Sequence, residues 1–205
     1  MKHPYYLLIC FSVFLTSGLW GLYWIPQRIL VSGGLTGGWG TVAQYAIPLV
    51  VLTPFIIWKF SKGKSTGLNL PFIGLLFGGG IACYANSFLL TDIMRVFILF
   101  YLMPLWTTIF EYFFFKQKPK WQRIFSLVLA LSGLWIVFGK DGNLPIPVNI
   151  GDWLAFAGGF LCAAGAIKLE EAKSEEVTSL LFSFFFYGLS VTLLTSVIFS
   201  DAFGP

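Results

Sequence analysis

Tyr101, Pro104, Thr107, Thr108 and Glu111 recur at steps of three and four residues in a stretch otherwise made of Phe, Leu, Ile, Met and Trp. On a helix they share one face. A polar stripe on so apolar a helix belongs against a bundle interior or an aqueous cavity. Pro104 has no amide hydrogen, so a carbonyl one turn earlier, near Phe100, loses its partner. That kinks the helix and frees an acceptor for a bound solute. Glu111 has two readings. One is a carboxylate at the membrane rim paired with a lysine, since Lys116 follows only about 7.5 Å along the axis. The other is a protonatable group that couples movement of a solute to a proton gradient.

A second stripe holds Thr16, Trp20, Tyr23 or Trp24, and Gln27. Aromatic side chains with polar tips suit a cavity wall that receives amphipathic or cationic solutes. They also suit an interfacial belt. Trp20 and Tyr23 are assigned to the cavity, Trp24 and Trp39 to the belt. Asn86, in hydrocarbon, needs a partner on another helix or on a substrate. Tyr84 is read as pointing elsewhere. Gly74 and Gly78 form a small-xxx-small pair for close helix packing, while Gly78-Gly79-Gly80 could instead break the helix. The small residues from Gly158 to Ala166 read as close packing or as a wall that leaves room for solute.

Enzyme chemistry has few candidates. The one histidine, His3, lies in the N-terminal tail. Asp92, Asp141 and Asp152 sit at loop edges, and Cys10, Cys83 and Cys162 lie singly in apolar runs. No serine–histidine pair, aspartate pair or metal cluster is expected, and no cofactor. Gly33-Gly34 and Gly37-Gly38 lack the lysine of a phosphate-binding loop.

The elements that position these residues must be membrane helices. The chain has 205 residues, 57% of them hydrophobic and 11% charged, against about 25% charged in soluble domains. Spans are expected at 5–26, 41–60, 70–91, 94–115, 121–139, 151–169 and 177–200, giving an all-α polytopic membrane protein of about seven transmembrane helices. The apolar run through Trp20 and Trp24 to Pro26 is too long and aromatic for a cleaved signal peptide. With the N-terminus in the cytoplasm, ten of the 13 Lys and Arg residues face inward and only Arg28, Arg95 and Lys140 face outward. The positive charges lie between spans, so nucleic acid is not an expected partner. The lipid bilayer is.

Gly18-Leu19-Trp20-Gly21, the run from Leu99 through Pro104 to Thr107, Leu129 to Val137, and Gly151-Asp152-Trp153-Leu154-Ala155 together resemble EamA-type members of the drug/metabolite transporter superfamily. The resemblance implies ten helices in two inverted five-helix repeats around a central cavity for small metabolites such as amino acids. Residues 1–139 would form the first repeat and 151–205 the first two helices of the second. It further implies a secondary transporter of the plasma (inner) membrane, exporting metabolites or drug-like solutes by alternating access. Trp20, Tyr23, Asn86, Tyr101, Pro104, Thr107, Thr108 and Glu111 would line its cavity. Lys116-Gln117 departs from the family's usual Gly-Glu at that turn. Seven spans leave such a cavity without three walls. The chain is therefore expected to be a partial sequence lacking C-terminal helices, to be completed by another copy in a homo-oligomer, or to be a non-transporting scaffold that needs a partner chain.

Overall fold

The computed structural model describes residues 6–61, 69–139, 146–172 and 176–198. The expectations for Lys2, His3, Lys62, Lys64, Lys140, Asp141 and Lys173 lie outside the described residues, as do the outermost residues of the first and last spans.

The described residues form an all-α polytopic membrane fold. Its helices are α1 (Tyr6–Gly21), α2 (Trp24–Ser32), α3 (Trp39–Ser61), α4 (Leu70–Leu90), α5 (Ile93–Phe100), α6 (Met103–Phe115), α7 (Trp121–Gly139), α8 (Ile150–Glu171) and α9 (Val177–Ile198). Among the described residues six segments are long and apolar enough to cross a bilayer: Tyr6–Ser32, Trp39–Lys59, Leu70–Leu90, Ile93–Phe115, Ile150–Glu171 and Val177–Ile198. The first span runs beyond the expected boundary at 26. Pro26 falls in the first turn of α2, where a missing amide costs no hydrogen bond, so the helix continues through Gln27, and Arg28 is helical rather than in an outer loop.

α4 is the axis of the bundle. It runs parallel to α9, with Gly74 against Ser183 at one end and Asn86 against Thr195 at the other. It runs antiparallel to α8, with Phe77 at Gly165 and Leu90 at Gly151. An antiparallel α8 requires α7, 19 residues long, to cross as well. The three consecutive glycines pack rather than bend, and α4 is continuous through them. A Cβ on Gly80 would lie 2.7 Å from Cys162 Sγ and 3.0 Å from Gly158 O, and one on Gly158 would lie 2.7 Å from Gly80 O. Only glycine lets these backbones approach so closely.

The basic turns gather at one end. Lys59 at the end of α3 pairs with Glu176 at 2.8 Å and donates to Ser179 Oγ. Lys168 at the end of α8 pairs with Glu171 at 2.8 Å and lies 5.9 Å from the Phe114 ring at the end of α6. The turn carrying Lys116, Lys118 and Lys120 follows α6 directly. Arg95 stands at the opposite end, beside the start of α8.

Candidate functional site

Two spans are broken, and each break has a proline behind it. Pro26 cannot donate to Leu22 O, which accepts from Ile25 N at 3.0 Å instead, and the first span breaks at Leu22-Tyr23. Pro104 cannot donate to Phe100 O; Leu105 N and Trp106 N bond Leu102 O at 2.9 and 3.2 Å, and the fourth span breaks at Tyr101-Leu102. The freed Phe100 carbonyl does not face a cavity. It is turned onto α8, where a Cβ on Gly159 would lie 2.6 Å from it. The expected acceptor for a solute is covered by helix packing.

The breaks meet through Tyr84. Its ring stacks on Trp20 at 5.9 Å and on Tyr23 at 6.2 Å, and those two stack on each other at 5.6 Å. Tyr84 also meets Phe100, with ring centroids 4.0 Å apart, and Tyr101 adjoins through Phe97 at 5.8 Å and Phe100 at 6.1 Å. Tyr84 is 0% exposed, whereas Trp20 is 36% and Tyr101 51% exposed, so the cluster has a buried centre and open flanks. Tyr84 Oη is buried and has no hydrogen-bond partner among the described residues. Tyr84 does point elsewhere on α4 than Asn86, but it was not among the expected cavity residues, and the structure puts it at the centre of the cluster. Its aromatic ring with a polar tip, in mid-helix beside the glycines, was the available signal.

A polar chain supports this cluster. Tyr23 Oη donates to Gln44 Oε1 at 2.7 Å, Gln44 Nε2 to Gln27 Oε1 at 3.2 Å, and Gln27 Nε2 to Thr41 Oγ1 at 3.1 Å. Thr41 and Gln44 lie three residues apart on α3 and so share a face, a spacing that was not among the expected polar stripes. Trp24, assigned to an interfacial belt, packs against the core around Tyr84 because the break turns α2 inward.

The remaining candidates disperse. Asn86 lies two residues past Tyr84, roughly 200° around the helix, and donates to Thr195 Oγ1 at 2.7 Å on α9. It is not brought together with Trp20, Tyr23 and Tyr101. The single face expected for the fourth span assumed a continuous helix; the break sends Tyr101 to the aromatic cluster and leaves the rest on α6. Pro104 opens α6, and the hydroxyls of Thr107 and Thr108 donate to Met103 O and Pro104 O at 2.9 and 2.8 Å. Glu111 pairs with Arg123 of α7, not with Lys116. Thr108, Glu111 and Arg123 line a cavity of about 530 Å³ with Gln117, Lys118, Lys120 and Gln122.

At the opposite end Asp152, fully buried, accepts from Arg95 Nε at 3.0 and 3.1 Å, Thr91 Oγ1 at 2.7 Å and Val148 N at 3.0 Å. This ties α5 and the end of α4 to the start of α8. Among the described residues no group of His, Cys, Asp and Glu could hold a metal ion.

Comparison with known proteins adds three findings. Residues 6–139 match the EamA-like transporter family. An uncharacterized transporter, YoaV of Bacillus subtilis (strain 168), is 27% identical over 133 residues, which is 60% of this chain and 43% of that protein. The chain thus spans less than half the length of the curated relative it matches. No solved structure matches.

Proposed function

Because the chain belongs to the EamA-like transporter family, we propose that it serves as a secondary transporter of small organic metabolites, such as amino acids or drug-like solutes, exporting them by alternating access. One observation carries the reading. Two interrupted spans bring their breaks to one buried tyrosine whose hydroxyl has no hydrogen-bond partner among the described residues. Interrupted helices supply substrate sites at mid-membrane in many transporters, because unwound backbone and half-helix ends provide polar groups there. Trp20, Tyr23 and Tyr101 would hold the apolar or cationic part of the solute, and Tyr84 Oη its polar part. Thr107, Thr108 and Glu111 would line the path toward the basic end, and Asn86 would serve α4–α9 packing.

The positive-inside rule supports placing the basic end, and with it the N-terminus, in the cytoplasm of a plasma (inner) membrane. The pairing of Glu111 with Arg123 supports the rim reading of this carboxylate over proton coupling. A second reading, a membrane scaffold completed by another copy or chain, draws on α1, which has no buried residue. Reconstitution into liposomes loaded with amino acids separates the two. Counterflow of a labelled amino acid or a cationic dye supports transport. Absence of flux for every solute tried, with cross-linking through α1 to a second chain, supports the scaffold.

A further inference from the structure

The cavity between α6 and α7 has the wrong chemistry for a neutral solute. Lys118, Lys120 and Arg123 line it with a single carboxylate, Glu111, which is already engaged by Arg123. Gln117, Gln122 and Thr108 add neutral polar groups. The excess is positive, and two lysines have no carboxylate opposite them in the cavity wall. The place matters as much as the charge. The cavity opens where α6 ends at Phe115 and α7 begins at Trp121, the level at which a spanning helix meets lipid headgroups. Below Gln122, Phe125 and Leu129 continue the same face of α7, and they are 50% and 55% exposed. A cationic mouth thus stands directly above one apolar line of α7, a helix whose described apolar residues are mostly exposed.

A free anion would satisfy only the mouth. A molecule with a phosphate at one end and an acyl chain at the other satisfies both. We propose that this cavity binds the phosphate headgroup of an anionic membrane phospholipid, with Lys118 and Lys120 on the phosphate and an acyl chain along Phe125 and Leu129. The lipid bridges α6 and α7, whose only described ion pair is Glu111–Arg123.

Native mass spectrometry of the full chain, released from nanodiscs of phosphatidylglycerol or of phosphatidylcholine with the same acyl chains, tests this. The wild type is expected to retain phosphatidylglycerol and not phosphatidylcholine. Lys118→Gln with Lys120→Gln, both exposed and so tolerated by the fold, should lower retention roughly ten- to thirtyfold, as expected for two interfacial lysines. Lys168→Gln, at the same end but outside the cavity, should leave retention unchanged. Equal retention of both lipids, or equal loss in the Lys168 control, overturns the site. Displacement of the lipid by millimolar glycerol phosphate would show that the cavity reads phosphate alone, and overturns the lipid assignment. Phe125→Ser should weaken retention of phosphatidylglycerol; no effect there would also count against the acyl contact.

Discussion

Tyr84 and Asp152 are both fully buried polar residues in apolar surroundings, and they ask for opposite experiments. Asp152 is saturated with donors. Asp152→Asn keeps the shape, removes the charge and turns an amide toward Arg95. Breaking a buried ion pair costs about 3–5 kcal/mol; Arg95 is 19% exposed and keeps some water, so roughly 2–3 kcal/mol is expected. Thermal melting in detergent should show the loss, and Arg95→Met in the same chain should recover part of it by removing the stranded cation. Tyr84 Oη has no partner among the described residues to lose. Tyr84→Phe should therefore melt within about 0.5 kcal/mol of the parent, while weakening solute binding about tenfold if the hydroxyl holds the substrate, the value of one hydrogen bond. Isothermal titration with the transported solute checks this, and unchanged binding would remove Tyr84 from the site. At this scale the sequence was only half legible. Trp20, Tyr23 and Tyr101 do gather. Tyr84 was set apart from Asn86 but not placed in the site, and Thr41 and Gln44 share one face of α3 without being chosen, because what a helix face lines depends on which neighbour it meets, and spacing alone does not carry that.

Helices were the easiest feature to anticipate, since hydropathy and helix length answer to the same bilayer thickness. Expected spans at 70–91, 94–115 and 151–169 correspond to Leu70–Leu90, Ile93–Phe115 and Ile150–Glu171. The interruption near Phe100 was legible from Pro104, because a missing amide is a property of one residue. The interruption at Leu22-Tyr23 was not, since Pro26 reads equally as the end of a span. What no local pattern contains is where a freed carbonyl comes to lie, which here is close against the bare backbone at Gly159. This gives an element-scale prediction. Pro104→Ala restores the amide, so α5 and α6 can join only if Phe100 O leaves α8. Proline is tolerated in the first turn, so stability should change by less than about 1 kcal/mol. Counterflow should fall because Tyr101 is carried away from Tyr84. Gly159→Ala is the complementary change. It pushes on the same carbonyl from the other side and should lower the melting temperature by about 1–3 kcal/mol in equivalent stability, as overpacking does. Wild-type flux in Pro104→Ala would show that the interruption is incidental.

Across the whole molecule one order parameter dominates, the segregation of positive charge to one end. It was visible in the chain because each basic cluster lies next to a span boundary and each crossing reverses direction. The packing of α4 against a parallel α9 and an antiparallel α8 obeys the same alternation. It puts Lys59, Lys116, Lys118, Lys120 and Lys168 together and Arg95 opposite, by an argument that uses no charge at all. What the geometry leaves to electrostatics is the absolute direction. Short basic loops stay on the cytoplasmic side, so Gln117 should face the cell interior and Val148, 74% exposed near the start of α8, the outside. A cysteine-free background is accessible, because Cys10 is exposed and Cys83 and Cys162 are free thiols that alanine can replace in a small-residue interface. In it, a membrane-impermeant maleimide applied to intact cells should label Val148→Cys and leave Gln117→Cys unmodified until the membrane is opened. The reverse pattern would invert the protein. It would also move the cationic cavity to the outer leaflet, and with it the lipid proposed to fill that cavity. Labelling of both sites in intact cells would mean that residues 117 and 148 share a face, which the antiparallel contact between α4 and α8 forbids.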